Sequence, residues 1–184
     1  MKTAAPLFLG LAAGLFAAGC GTTKPARFFQ LNPDPPLARS EPVPGTPPWT
    51  LRNVRLPRYL DRSQMILRLS AHAISLDEYN RWAEPLDAGV TRLLRPFNGA
   101  VGAEPWLVDL ELVLFDVDAS GNAILEASWQ ARPPRSGPPA AGSFARTRKA
   151  AGPDPGEQAA ALSELILELG AEIGKGLRQK GNSE

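Results

Sequence analysis

The sequence predicts an α+β two-layer sandwich, a mostly antiparallel sheet with two amphipathic helices packed on one face. Two long segments carry the sheet, Trp106 to Asp118 and Asn122 to Arg132, joined through Ala119-Ser120-Gly121, where glycine can supply the positive φ of a tight hairpin. In the second of them Leu125, Ala127 and Trp129 alternate with Glu126, Ser128 and Gln130, so that one side of the sheet is covered and the other wet. The helices show as a change of period. Leu86, Val90, Leu93, Leu94, Phe97 and Val101 recur at helical spacing, as do Leu162, Leu165, Ile166, Leu169, Ile173 and Leu177.

The remaining elements follow in chain order. Arg27-Phe28-Phe29-Gln30-Leu31 allows a short first strand inside a proline-rich stretch. Trp49 to Leu56 alternates imperfectly and ends at Pro57, as a strand must where the next residue lacks an amide donor. Met65 to Leu69 is an apolar run with Arg68 inside it, and Ala73 to Leu76 is its candidate hairpin partner. Pro85 suits the first turn of a helix, whereas Pro96 should kink or shorten the last. Pro133 to Pro139 is a loop. Ser143 to Lys149, with Arg146 and Arg148 on one face and Thr147 and Lys149 on the other, is polar enough to be an edge strand. Gly152-Pro153-Asp154-Pro155-Gly156 breaks the chain before the final helix.

Composition excludes several classes of function. A single Cys and a single His cannot supply an internal disulfide or a usual zinc site. Twenty basic against 19 acidic side chains give a net charge of +1, with no basic run of the kind that neutralises phosphates, so no nucleic-acid partner is expected. His72 stands alone, with no neighbouring nucleophile. Asp109, Glu111, Asp116 and Asp118 invite a two-carboxylate hydrolase, yet they lie along one strand and its turn, where a solvated face or an interface or turn feature is the simpler reading. The sequence therefore reads as a non-enzyme without metal or cofactor.

The N-terminus reads as an export signal. Lys2 is the only charge before an apolar run from Pro6 to Ala18, too short and too broken for a membrane span of about 20 apolar residues. Ala17-Ala18-Gly19 then precede the lone Cys20. This resembles a bacterial lipobox, although Ala17 stands where leucine is usual, and it implies cleavage before Cys20 with covalent acyl chains on its thiol and new amino terminus. Several acyl chains meet the requirement for stable anchoring. By resemblance to the enterobacterial sorting rule, Gly21 directs the product to the outer membrane. The organisation expected is a signal peptide over 1–19, a lipidated N-terminus and proline-rich tether over 20–48 with the strand at 27–31 inside it, and a single periplasmic α+β domain over 49–184. Eight prolines lie between 21 and 48, a composition that favours extended geometry.

Two further stretches carry a resemblance. Arg55-Leu56-Pro57-Arg58-Tyr59-Leu60-Asp61-Arg62-Ser63-Gln64-Met65 and Glu78-Tyr79-Asn80-Arg81-Trp82-Ala83-Glu84-Pro85-Leu86 look like the signature segments of the PqiC family, auxiliary lipoproteins of ABC-type, MCE-associated lipid transport systems. The resemblance covers roughly residues 27–178, a span that fits one domain. Pro96 and the proline-rich insertion after Arg132 depart from it. It implies a non-catalytic outer-membrane lipoprotein that docks, as a ring-like homo-oligomer, onto the periplasmic tunnel of an MCE-domain protein and supports membrane integrity. In that setting Tyr59, Leu60, Asp61, Arg62, Arg81, Trp82, Glu84 and Leu86 are candidate partner or oligomer contacts, with Asp61 paired to Arg62, Arg81 paired to Glu84, and the aromatic groups as anchors. The plainer alternative is that they stitch the strand-to-helix junctions, with Trp82 in the core, Glu84 near the first-turn amides and Pro85 starting the helix. A stand-alone envelope lipoprotein or an outer-membrane assembly factor is the competing function. A shuttle carrying lipid inside its own fold would need a large apolar cavity, and the sequence has no surplus of apolar residues for one.

Overall fold

The computed structural model describes residues 24–32, 45–97 and 104–181. The signal peptide, Cys20, Val101 and most of the proline-rich segment lie outside the described residues. A seven-stranded mixed sheet is formed by β1 (Arg27–Phe29), β2 (Trp49–Arg55), β3 (Gln64–Ser70), β4 (Ala73–Trp82), β5 (Trp106–Asp118), β6 (Asn122–Arg132) and β7 (Ala140–Lys149). Its helices are α1 (Leu86–Leu94), continued by a 3-10 turn over Arg95–Phe97, and α2 (Pro155–Gly181). The order across the sheet is β1-β4-β3-β5-β6-β7, and β2 pairs in parallel with the first half of β5 while β3 pairs in parallel with its end. The long ladders, β5 with β6 and β6 with β7, are antiparallel; those of β1, β2 and β3 with their parallel neighbours are shorter.

The central hairpin has the expected bounds, and its turn has Gly121 at φ +78°, a conformation that other side chains rarely adopt. Asp118 completes the turn by accepting the amides of Ser120 and Asn122 at 2.9 and 2.8 Å. Two expected elements differ in extent. Beyond Leu76, β4 continues to Trp82, because the Asp77 carboxylate accepts the Tyr79 and Asn80 amides at 3.0 Å each and turns a turn-like Asp-Glu-Tyr-Asn sequence into a bulge within one strand. β7 begins at Ala140 rather than Ser143, since its small residues pair with β6 where Trp129 needs room. The α-helical part of α1 stops at Leu94, the shortening that a proline at 96 dictates.

Both helices cover the sheet face that carries Val108, Leu110, Leu112, Leu125, Ala127 and Trp129. The α2 stripe of Leu165, Ile166, Leu169, Ile173 and Leu177 is at most 1% exposed. Full burial of such a side chain contributes roughly 1.5–3 kcal/mol, so this stripe is a principal source of the domain's stability. Close approach of α2 depends on glycine at the Trp129 indole: a Cβ at Gly142 would lie 2.7 Å from the ring and one at Gly176 would lie 2.9 Å from it. Gly176→Ala is therefore expected to cost about 1–3 kcal/mol by overpacking, read as a lower urea midpoint with unchanged slope. An unchanged midpoint would show that the slot relaxes.

β1 joins the domain through three kinds of contact. It pairs with Asn80–Trp82 of β4, Phe29 accepts the Ala83 amide at 2.8 Å, and Arg27 pairs with Asp154 at 3.0 Å. Of the eight prolines between 21 and 48, only Pro25 precedes this strand. The other seven connect β1 to β2.

Candidate functional site

The two signature stretches lie side by side where β2 ends, β3 begins and β4 runs into α1. The loop from Pro57 to Ser63 turns on itself through the Leu60 amide to Pro57 carbonyl bond at 2.9 Å and the Arg62 amide to Leu60 carbonyl bond at 2.8 Å. Leu60 then enters the core. Ser63 accepts the Trp82 amide at 2.6 Å, which fastens one stretch to the other.

Beneath the loop is an ion pair that the sequence reading placed on a solvated face. Asp116 is 1% exposed, and Arg68 donates to its carboxylate from Nε at 3.0 Å and from Nη2 at 2.6 Å. A bulge after Leu112 sets Asp116 on the open face, where β3 and Tyr59 of the 57–63 loop cover it. The Tyr59 hydroxyl is buried beside this pair. Burial first and the Asp116 carboxylate second push it above the ordinary phenol range, against a smaller opposing effect of the Phe115 backbone and Arg68. Arg68 was visible in the sequence as a charge inside an apolar run, and such a charge requires a partner.

Glu84 belongs to a second cluster. It does not pair with Arg81; it takes the Arg92 guanidinium of α1 at 2.5 Å, and the same guanidinium donates to the Leu31 carbonyl at 2.8 Å and to Asn32 Oδ1 at 2.9 Å. The buried Ser163 hydroxyl of α2 accepts the Asn32 amide at 3.1 Å while donating to the Ala159 carbonyl at 2.7 Å. These contacts hold the N-terminal segment to both helices. Arg81 lies on the other side of β4, with its nearest acidic partner Glu78 at 4.0 Å. The separation follows from the strand: β4 runs through Trp82, so Arg81 keeps a strand position while Glu84 lies past the strand end. Arg62 donates to the Tyr59 carbonyl at 2.8 Å instead of pairing with Asp61.

The candidate contacts thus divide by burial. Leu60, Trp82 and Leu86 are buried in the core, with Trp82 tilted against Phe115 at 6.4 Å between ring centroids. Tyr59 and Glu84 are partly buried and tied inward, Arg81 is partly exposed, and Asp61 and Arg62 are exposed beside Arg58. Cys20 lies outside the described residues.

Of the other carboxylates, Asp109 and Asp118 have local tasks, while Glu111 is exposed on β5. Asp109 is bound bidentately by Arg52, and this hydrogen bonding, with the nearby Arg132 and Arg55, holds it below the usual carboxylate range. For Asp118, burial raises the value but is outweighed by the hydrogen bonds from Asn122 and Ser120. Groups held low when folded contribute stability that is complete above about pH 4 and lost as pH falls through their folded values. Urea midpoints should therefore fall as pH drops below about 4, and Asp118→Asn, which keeps an acceptor without titrating, should make that fall shallower. An identical pH profile in the variant would contradict this. Among the described residues no group of three or more His, Cys, Asp and Glu side chains is placed to hold a metal ion. His72 is exposed in the β3–β4 turn. No helix among the described residues is long and apolar enough to cross a membrane.

A family model described as the ABC-type transport auxiliary lipoprotein component matches residues 29–174. The chain belongs to this family. The match begins inside β1 and ends within α2, so it takes in both signature stretches and both clusters beneath them. As a transport auxiliary lipoprotein it falls in a family of membrane-anchored envelope components associated with an ABC-type transporter, a family not described as enzymes. Two crystal structures have the same fold. One, of a protein described as uncharacterized, is 17% identical with a TM-score of 0.63 and covers 83% of this chain and 98% of its own. The other, from Xanthomonas campestris, is 18% identical with a TM-score of 0.63 and covers 85% of this chain and 99% of its own. No curated protein matches the sequence significantly.

Proposed function

We propose that this auxiliary lipoprotein is a non-catalytic component of an MCE-associated intermembrane lipid transport system. It is held by acyl chains on Cys20 at the periplasmic face of the outer membrane, where it docks the tunnel formed by an MCE-domain protein and supports membrane integrity. It works as a ring-like homo-oligomer and needs no cofactor beyond its acyl chains. The family match over residues 29–174 carries this reading, and the two signature stretches sharpen it. The exposed Arg58, Asp61 and Arg62 form the partner-facing part of the site, and the buried members of the stretches hold that loop in one shape. Such preorganisation reduces the ordering cost of docking.

The reading is tested by affinity capture of the mature, acylated protein from detergent-solubilised envelopes. An MCE-domain protein together with an ABC permease is the expected eluate; capture of neither contradicts the transport role. In the same cells Cys20→Ser should move the protein from the outer-membrane band of a density gradient to the soluble fraction. A variant that stays in that band would show that Cys20 is not the attachment.

A further inference from the structure

The chain leaves the domain at one particular end of the sheet, and that end has the chemistry of a bilayer contact. β1 runs parallel to β4, so the residues before Arg27 extend past Tyr79 toward the β3–β4 turn. Lys24 lies over the Tyr79 ring at 5.5 Å, which fixes this direction. The β5–β6 turn stands level with the β3–β4 turn, since Leu67 and Arg68 are in register with Val117 and Asp118 and the Ala119 amide donates to Arg68 at 3.0 Å. The chain just before α2 belongs to the same end, because the Ala150 amide donates to the Gly121 carbonyl of the β5–β6 turn at 3.0 Å.

Four backbone steps lead from Cys20 to Lys24 and span at most about 14 Å. The five steps from Tyr79 back to Ile74 span at most about 17 Å. An anchor at Cys20 therefore keeps this end against the membrane surface, with no long spacer in between. Leu69 and Ile74 flank the β3–β4 turn and are 53% and 39% exposed. Near this end Asp77 accepts from Asn80 and Tyr79, Asp118 from its own turn, and Asp154 from Gly156 and Arg27, while Glu78, farther along β4, is exposed with Arg81 at 4.0 Å. The tip itself, from Leu69 to Ile74, carries no Asp, Glu, Lys or Arg.

We infer that the end of the sheet carrying Leu69 and Ile74 rests on the phospholipid bilayer to which the chain is anchored. This rests on the Cys20 reading above. A few side chains bind a membrane weakly by themselves; the anchor makes the contact effective by confining them to its surface. The contact fixes the orientation of the domain, with the β6–β7 loop at the far end directed away from the membrane. Because it is apolar, it needs no anionic lipid and is insensitive to salt.

The test uses the acylated protein in phosphatidylcholine vesicles containing a shallow spin-labelled lipid. One environment-sensitive fluorophore is attached through His72→Cys in the β3–β4 turn or through Ser136→Cys in the β6–β7 loop. Quenching several-fold stronger at 72 than at 136 is expected, unchanged by salt. Leu69→Asp combined with Ile74→Asp should reduce it to the level at 136, with the protein still floating with the vesicles and its circular dichroism unaltered. Equal quenching at the two positions, stronger quenching at 136, or a blue shift at 72 without quenching, which marks a protein neighbour, overturns the inference. Failure of the protein to float overturns the anchor itself, and the contact with it.

Discussion

Asp116→Ala should lower the stability of the domain by about 3 kcal/mol, the lower end of the range for breaking a buried ion pair, because Arg68 retains some access to water. For a domain of this length that corresponds to a fall of roughly 6–12 °C in Tm. The loss comes less from the attraction than from the guanidinium left without its carboxylate beneath the 57–63 loop. Two comparisons separate these contributions in equilibrium urea unfolding. Asp116→Leu with Arg68→Met should be less damaging than Asp116→Ala alone, since no charge is stranded. Tyr59→Phe should cost little by itself, because the hydroxyl it removes has no hydrogen-bond partner in the structure. A single-variant loss well under 1 kcal/mol would show that Arg68 reaches water and that the loop does not depend on the pair.

Arg92→Ala should detach the N-terminal segment while leaving the rest folded. One guanidinium serves Glu84, the Leu31 carbonyl and Asn32, and β1 is only three residues long, so its backbone ladder alone is a weak attachment. Hydrogen bonds to charged groups contribute about 1.5–3 kcal/mol each, and loss of this cluster is large against the opening energy of so short an edge strand. The expected result is faster amide exchange at Ala83 and Asn32, which donate to Phe29 and Ser163, and new protease cleavage within 24–32, with exchange in β5 and β6 unchanged. Arg92→Lys should rescue only in part, because an ammonium cannot bridge three acceptors with the planar geometry of a guanidinium. Wild-type exchange at both amides would contradict the role given to Arg92.

The elements with strong periodicity were legible in the sequence. The central hairpin, α2 and the shortened α1 each follow from spacing, a turn glycine or a proline, all of which act locally. What was not legible depends on partners distant in sequence. Asp116 looks solvated by its neighbours and is buried because β3 and the 57–63 loop cover it. Glu84 follows Arg81 by three residues, but the continuation of β4 through a bulge parts them and gives Glu84 to a helix residue. Arg92 had no signal of its own, since an arginine in the last turn of a helix is ordinary. The prolines read as a spacer ahead of the domain because the pairing of Phe28 with Arg81 cannot be inferred from composition. For the site, the sequence located both signature stretches; only the structure divides them into core residues, positioning residues and the exposed Arg58, Asp61 and Arg62.

On the proposed function, the exposed 57–63 loop contacts the transporter. A photo-crosslinking amino acid placed at Arg62 in living cells tests it most directly, with Arg135, exposed in the β6–β7 loop, as the comparison position. An adduct between position 62 and an MCE-domain protein is expected, and none from position 135. An adduct at 62 only with unrelated proteins, or an MCE adduct from 135 and not from 62, would contradict it.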